Sequence, residues 1–140
     1  RTRPDGLVWI FFVLFVVFLG DVAAYYAGTY KGRHKLVPSI SPGKTIEGAL
    51  AGLGANLVVG VVFQLIFFSE LSTLSTALLA LLMGAVGQVG DLFESELKRT
   101  AGIKDSGSIL PGHGGLLDRI DALLFAAPVA YVWIFLIFQA

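Results

Sequence analysis

The sequence predicts an all-α fold, a polytopic integral membrane helical bundle with about four transmembrane helices. Hydrophobic residues make up 56% of the 140 residues and charged residues only 14%, whereas charged residues approach about a quarter of a soluble domain. The mean hydropathy is +0.81. Four long apolar stretches alternate with polar segments, and the basic residues concentrate in two of those segments. Together these observations exclude an ordinary soluble domain.

The four apolar stretches cover residues 7–28, 48–68, 71–89 and 122–140. Each has about the 20 residues that cross a hydrocarbon core of roughly 30 Å as a helix. Helices are expected because they satisfy their own backbone hydrogen bonds where water is absent. Only Ser69 and Glu70 join the second and third stretches, so these two should form an antiparallel hairpin. The glycines at positions 48, 52, 84 and 87 are predicted to be helix-packing positions.

The basic residues predict the orientation in the membrane. Most of them lie in the two longer polar connections, which two spans separate, so both connections share one side of the membrane. The positive-inside rule assigns that side to the cytoplasm. The residues concerned are Lys31, Arg33, Lys35, Lys44, Lys98, Arg99, Lys104 and Arg119. A formal net charge of zero argues against a nucleic-acid partner, and the absence of cysteine excludes disulfides and thiolate metal sites.

One aspartate lies inside the first apolar stretch. Asp21 precedes Lys31 by ten residues, which places it about 15 Å from the basic edge of the helix at 1.5 Å per residue. Two interpretations stay open. Asp21 is either a buried residue hydrogen-bonded to a neighbouring helix or part of a polar substrate cavity.

A second group of polar residues lies at the end of the third stretch. Asp91, Ser95 and Lys98 are spaced at i, i+4 and i+7, which places them on one helical face. A carboxylate, a hydroxyl and an ammonium there suit a divalent metal and an anionic ligand at the cytoplasmic interface. Glu94 and Glu96, by contrast, are predicted to face water as part of an ordinary interfacial edge.

A glycine-rich segment precedes the fourth stretch. The GHGG run at residues 112–115 can turn backbone amides toward phosphate oxygens. Asp118 and Asp121 follow at i, i+3 around Arg119. Hard carboxylate oxygens without cysteine fit Mg²⁺, which commonly keeps waters and substrate phosphates as its other ligands. The residues expected to neutralise phosphates are Lys98, Arg99, Lys104 and Arg119.

The polar connection also contains an extended motif. It reads Ser95-x-Leu97-Lys98-Arg99, then Lys104-Asp105-x-Gly107, then Leu110-Pro111-x-His113-Gly114-Gly115-Leu116-x-Asp118-Arg119-Ile120-Asp121. Upstream lie Gly20-Asp21 and Ser41-Pro42-x-Lys44-Thr45-x-Glu47-Gly48. These motifs resemble those of phosphatidate cytidylyltransferases, also called CDP-diacylglycerol synthases. The resemblance covers most of the chain.

The resemblance implies a reaction and a place for it. CMP would pass from CTP to phosphatidate, giving CDP-diacylglycerol and pyrophosphate in phospholipid biosynthesis, with Mg²⁺ as cofactor. Residues 1–140 would be the C-terminal catalytic membrane domain of such an enzyme, without the N-terminal spans of the family. The active site would face the cytoplasm, as in the bacterial inner membrane. The sequence leaves open whether K⁺ joins Mg²⁺ and whether the protein is a homodimer.

The resemblance also implies roles for individual residues. The predicted catalytic residues are Asp91, Asp118, Lys98 and Arg119. The predicted metal ligands are Asp91 and Asp118, with Asp121 as a third candidate. The predicted substrate-binding residues are Ser41, Lys44, Thr45, Glu47, Ser95, Arg99, Lys104, Asp105, His113, Gly114 and Gly115.

Two alternatives use the same carboxylates. A related membrane enzyme could transfer from CTP to a different lipid, as a polyprenol-type kinase or an archaeal ether-lipid cytidylyltransferase would. A cation transporter could line its pathway with four aspartates, at positions 21, 91, 118 and 121. The transporter interpretation leaves the clustered basic residues and the GHGG run without a purpose.

Overall fold

The protein is described by a computed structural model, which covers residues 5–103 and 117–139, with side chains for 5–103 and 120–137. Four long helices dominate this part of the chain, and all four are long and apolar enough to cross a membrane. The predicted all-α membrane bundle is therefore confirmed. The helices are α1 (Gly6–Lys31), α2 (Ile46–Phe67), α3 (Thr73–Thr100) and α4 (Leu117–Gln139).

The third helix extends well past its predicted apolar end at position 89. It continues to Thr100, so the charged residues that follow Asp91 form its last turns. The lysine and arginine in its last turn lie where the carbonyl end of a helix favours positive charge. The consequence for the site is that the acidic and basic side chains of this segment are held on a rigid helix instead of a loop.

A small β-hairpin, which was not predicted from the sequence, connects α1 and α2. Strands β1 (Lys35–Val37) and β2 (Ser41–Thr45) pair antiparallel, with Val37 opposite Ser41. At the base of the hairpin the Ile46 amide donates to the His34 carbonyl at 2.9 Å. Such short strands carry too few residues for a period-two pattern, so their pairing depends on the turn and on these closing contacts.

Polar side chains make hydrogen bonds at both ends of α2, at its first turn and at its link to α3. The Thr45 hydroxyl caps α2 by accepting a hydrogen bond from the Gly48 amide at 3.1 Å, which satisfies one of the free amides of the first turn. At the other end of α2, buried Gln64 donates to the carbonyls of Phe68 and Leu71 at 3.1 and 3.0 Å. The predicted α2–α3 hairpin is thus held at its turn.

The apolar core receives buried side chains from all four helices, and its aromatic part lies between α1 and the end of α2. Its largest contacts are aromatic: Trp9 stacks on Phe68 with centroids 4.3 Å apart, and Phe12 meets Phe63 edge-on at 5.5 Å. Offset and edge-to-face rings are the favoured aromatic geometries. This aromatic part of the core therefore lies at the opposite end of α2 from the β-hairpin.

Close helix contacts run through small residues, as the sequence predicted. A side chain at Gly84 would overlap the buried Asn56 amide, and one at Gly48 would lie 3.2 Å from the Gly28 Cα. A Cβ at Gly52 would lie 3.1 Å from the Gly20 carbonyl oxygen, and one at Gly87 would lie 3.4 Å from the Ala122 carbonyl oxygen. Small residues permit this approach of membrane helices.

Candidate active site

A cavity of about 680 Å³ lies between the helices and under the β-hairpin. Its polar wall includes Asp21 from α1, Lys44 from β2, Asp91 from α3 and Asp121 from α4. Apolar side chains line another part of it, among them Phe18, Val22, Leu36 and Leu92. The cavity can therefore accommodate a ligand that has both a charged and an apolar part.

An ion pair across the cavity joins the hairpin to α3. The Lys44 ammonium contacts the Asp91 carboxylate, and both side chains are partly exposed to the cavity. Asp21 is exposed on the cavity wall and interacts electrostatically with Asp91 and Lys44. This position corresponds to the polar-cavity interpretation of Asp21 and not to a buried aspartate bonded to a neighbouring helix.

The first turns of α4 add a second carboxylate. Asp121 faces the carboxyl groups of Asp91 and Glu94. Its Oδ1 also accepts a hydrogen bond from the Ala122 amide at 2.6 Å. Two close contacts bring the helices together here, Gly87 with Ala122 and Gly90 with the Phe125 side chain. Asp91 and Asp121, 30 positions apart in the chain, thus meet at one end of the cavity.

The prediction that Glu94 faces water is wrong. Glu94 is only 6% exposed, because α4 packs over the face of α3 that carries it. Glu96 is exposed, as predicted. The spacing contained the signal, since Glu94 lies at i+3 from Asp91 and i−4 from Lys98 and so shares their helical stripe. The predicted stripe passed through Ser95 instead.

Ser95, Arg99 and Glu47 make contacts outside the cavity wall. The Ser95 hydroxyl donates to the Asp91 backbone carbonyl at 3.0 Å. Arg99 donates through Nε to the Ile40 carbonyl in the hairpin turn at 3.4 Å. Glu47 accepts from the His34 amide at 3.2 Å, and its other oxygen lies 2.6 Å from the His34 ring. The Arg99 contact joins α3 to the hairpin, the Glu47 contacts close the base of the hairpin, and the Ser95 bond stays within α3. Ser41 and Thr45 line the cavity.

Several predicted site residues lie outside the described part of the chain. These are Lys104, Asp105, His113, Gly114 and Gly115. Asp118 and Arg119 belong to the first turn of α4, but their side chains are not described. Among the described side chains, those of residues 5–103 and 120–137, no group of three or more His, Cys, Asp or Glu is arranged to hold a metal.

One cavity residue was missed by the sequence analysis. Gln88 lines the cavity and donates through Nε2 to the Ala49 carbonyl of α2 at 3.0 Å. It precedes Asp91 by three residues, so helical spacing could have identified it.

Comparison with known proteins decides the family. The sequence profile of the cytidylyltransferase family matches residues 1–137. This chain belongs to the cytidylyltransferase family. The resemblance to phosphatidate cytidylyltransferases that the motifs indicated is confirmed by relatives with that name. One from Staphylococcus haemolyticus is 47% identical over 128 residues, covering 91% of this chain and 49% of its own. One from Staphylococcus aureus is 45% identical over 129 residues, covering 92% and 50%.

This cytidylyltransferase-family chain spans about half the length of the curated relatives it matches. A solved structure of an intramembrane enzyme for archaeal membrane lipid biosynthesis has a similar fold. The TM-score is 0.59 at 27% identity, covering 85% of this chain and 76% of the other. With four helices long and apolar enough to span a bilayer, the chain is that of an integral membrane protein.

Proposed function

We propose that this chain carries the catalytic site of a phosphatidate cytidylyltransferase. The reaction transfers CMP from CTP to phosphatidate and yields CDP-diacylglycerol and pyrophosphate. The observation that carries the proposal is the cavity in which Lys44, Asp91 and Asp121 meet above an apolar wall. A charged end and an apolar wall match a lipid phosphate and its chains. The names of the relatives support the same substrates.

The chemistry is a phosphoryl transfer that needs no protein nucleophile. A phosphate oxygen of phosphatidate attacks the α-phosphorus of CTP, a new P–O bond forms, and the bond from that phosphorus to the bridging oxygen breaks. The electron pair leaves with pyrophosphate. Catalysis then depends on alignment of the two phosphates and on stabilisation of charge. Packed helices that hold the charged side chains in fixed positions suit that task.

Magnesium fits the residues at the acidic end of the cavity. Asp91 and Asp121 offer hard carboxylate oxygens from two packed helices, and Mg²⁺ often binds through one or two carboxylates and substrate phosphates. Formally, the four carboxyl groups of Asp21, Asp91, Glu94 and Asp121 outnumber the two ammonium groups of Lys44 and Lys98. We assign Asp91, Asp121 and Asp118 as the residues that would hold the ion. When bound, Mg²⁺ would neutralise phosphate charge during transfer.

Basic residues would bind the phosphates of the nucleotide. Lys44 already lies in the cavity beside Asp91, and Lys98 lies two turns beyond Asp91 on α3. Arg119 belongs to the first turn of α4. We place this end of the bundle at the cytoplasmic surface, because the basic hairpin and the basic end of α3 meet there. CTP would then enter from the cytoplasm and phosphatidate from the bilayer.

The test is a turnover assay on the intact purified protein. Radiolabelled CTP with phosphatidate should give a lipid-extractable product that depends on Mg²⁺ and disappears with a chelator. Asp91→Asn should lower turnover by at least about a hundredfold, since it removes a ligand charge, whereas the exposed control Glu96→Gln should stay within about twofold. An archaeal-type ether-lipid phosphate serves as competing acceptor. Product only with that acceptor, or none with either, would overturn the proposal.

A further inference from the structure

Glu94 is an unusually placed carboxylate. It is 6% exposed, no donor lies at ordinary hydrogen-bond geometry to its oxygens among the described residues, and the Asp121 carboxyl group faces it from α4. Burial of an ionised carboxylate without hydrogen bonds is strongly unfavourable unless a cation lies close. Its position on the helix that carries Asp91 indicates that the Glu94 carboxylate has a role in the site.

The cation beside Glu94 is Lys98. The Lys98 ammonium lies 3.7 Å from Glu94 Oε1, one helical turn away. Both side chains are withdrawn from solvent, at 19% and 7% exposure. A glutamate four residues before a lysine is the favourable order on a helix, and low exposure reduces the screening that weakens surface pairs. Glu94 therefore restrains where the ammonium can lie.

The order of the charged residues along α3 suggests why the position of the Lys98 ammonium matters. Asp91, Glu94 and Lys98 follow one another on a single stripe that faces α4, with Asp121 opposite the first two. Lys98 lies seven residues beyond Asp91, about 10 Å along the axis. A triphosphate whose α-phosphate lies near Asp91 and Asp121, with a cation between the anionic groups, would reach Lys98 with its outer phosphates.

We propose that Glu94 is a positioning residue that holds the Lys98 ammonium in place to meet the outer phosphates of the nucleotide. This inference rests on the proposed cytidylyltransferase function. Glu94 touches neither the substrate nor the reacting atoms in this arrangement. It acts through Lys98, so the experiment must show whether the effect of Glu94 depends on the Lys98 ammonium.

The experiment is a double-mutant cycle on the intact protein, measuring kcat/KM for CTP. Glu94→Gln keeps the shape and removes the charge, and Lys98→Met keeps the apolar stem and removes the ammonium. Each single change should lower kcat/KM about tenfold or more. Glu94→Gln in the Lys98→Met background should cause no further loss, because its target is gone. Glu96→Gln, an exposed glutamate two residues away on the same helix, is the matched control and should stay within about twofold.

Each other outcome overturns a defined part of the proposal. Wild-type-like activity of Glu94→Gln, or the same loss with and without the Lys98 ammonium, would show that Glu94 does not act through Lys98. If Glu94→Gln does not fold, Glu94→Asp keeps the charge but shortens the side chain. Its loss should then vanish in the Lys98→Met background, and an unchanged loss would refute the idea. Absence of CTP-dependent turnover in the wild type would instead overturn the proposed function itself.

Discussion

Gly90→Ala is expected to damage the active site through packing alone. Gly90 is buried where α3 crosses α4, directly before Asp91 and against Phe125, four residues after Asp121. A methyl group at position 90 would overlap the Phe125 ring and lie 2.8 Å from its Cβ. The ring could rotate, although Phe93 packs edge-on against it with centroids 6.0 Å apart. The Phe125 Cβ can move only with the backbone of α4.

The magnitude follows from that contact. Ordinary van der Waals separation begins at 3.4 Å, so the two helices must part by about 0.6 Å. Overpacking of this kind costs about 1 to 3 kcal/mol, offset by up to about 1 kcal/mol from the better helix propensity of alanine. Stability should therefore fall only slightly. Catalysis should suffer more, because a misplacement of about 1 Å can cost on the order of a hundredfold in rate.

The assay compares kcat/KM for CTP and the thermal unfolding midpoint of purified Gly90→Ala with those of the wild type. We expect a loss of activity of about tenfold to a hundredfold in a folded protein. Gly54→Ala is the control, because a Cβ at Gly54 meets no atom within 4 Å, and its activity should not change. Turnover of Gly90→Ala within about twofold of the wild type would refute the reasoning that the α3–α4 contact sets the Asp91–Asp121 geometry.

The orientation can be tested with single cysteines, since the chain has none of its own. Cysteines that replace Lys35 and Glu70 should be labelled from opposite faces of the membrane. Labelling of both from the same face would contradict the four-span topology. At the α2–α3 turn, Gln64→Leu should lower the free energy of unfolding by about 2 to 4 kcal/mol, because two backbone carbonyls lose their donor. Ser69→Ala, an exposed change in the same turn, should be nearly neutral, and equal unfolding midpoints of both variants would exclude this role of Gln64.

The helical architecture was predictable because it depends on local properties. An apolar stretch of about 20 residues must form a helix in a bilayer whatever its neighbours are. The hairpin between α2 and α3 followed from the two residues that separate them. The β-hairpin before α2 was not predictable in this way, because its strands are held by a turn and by the contacts of His34 and not by a repeating pattern.

Some of the polar residues that line the cavity were also visible in the sequence. Carboxylates, basic residues and a glycine-rich segment at the ends of the apolar stretches indicated a phosphate and metal site. Asp91 and Asp121 were identified because their residue types and spacing are unusual for a membrane helix. The sequence predicted which residues belong to the site but not their surroundings. Spacing along a helix shows which residues share a face, but it does not show what covers that face.

Only the tertiary structure decided which charges are paired and which are buried. Glu94 and Glu96 are chemically identical and two residues apart, yet α4 covers the first and leaves the second in contact with solvent. Lys44 meets Asp91 because the hairpin folds back over the cavity. The sequence by itself determined the helices and the kinds of side chain at their ends, because bilayer length and composition act locally. Whether a charged side chain is buried or paired depends on residues that are distant in the chain, and helix packing determines which residues those are.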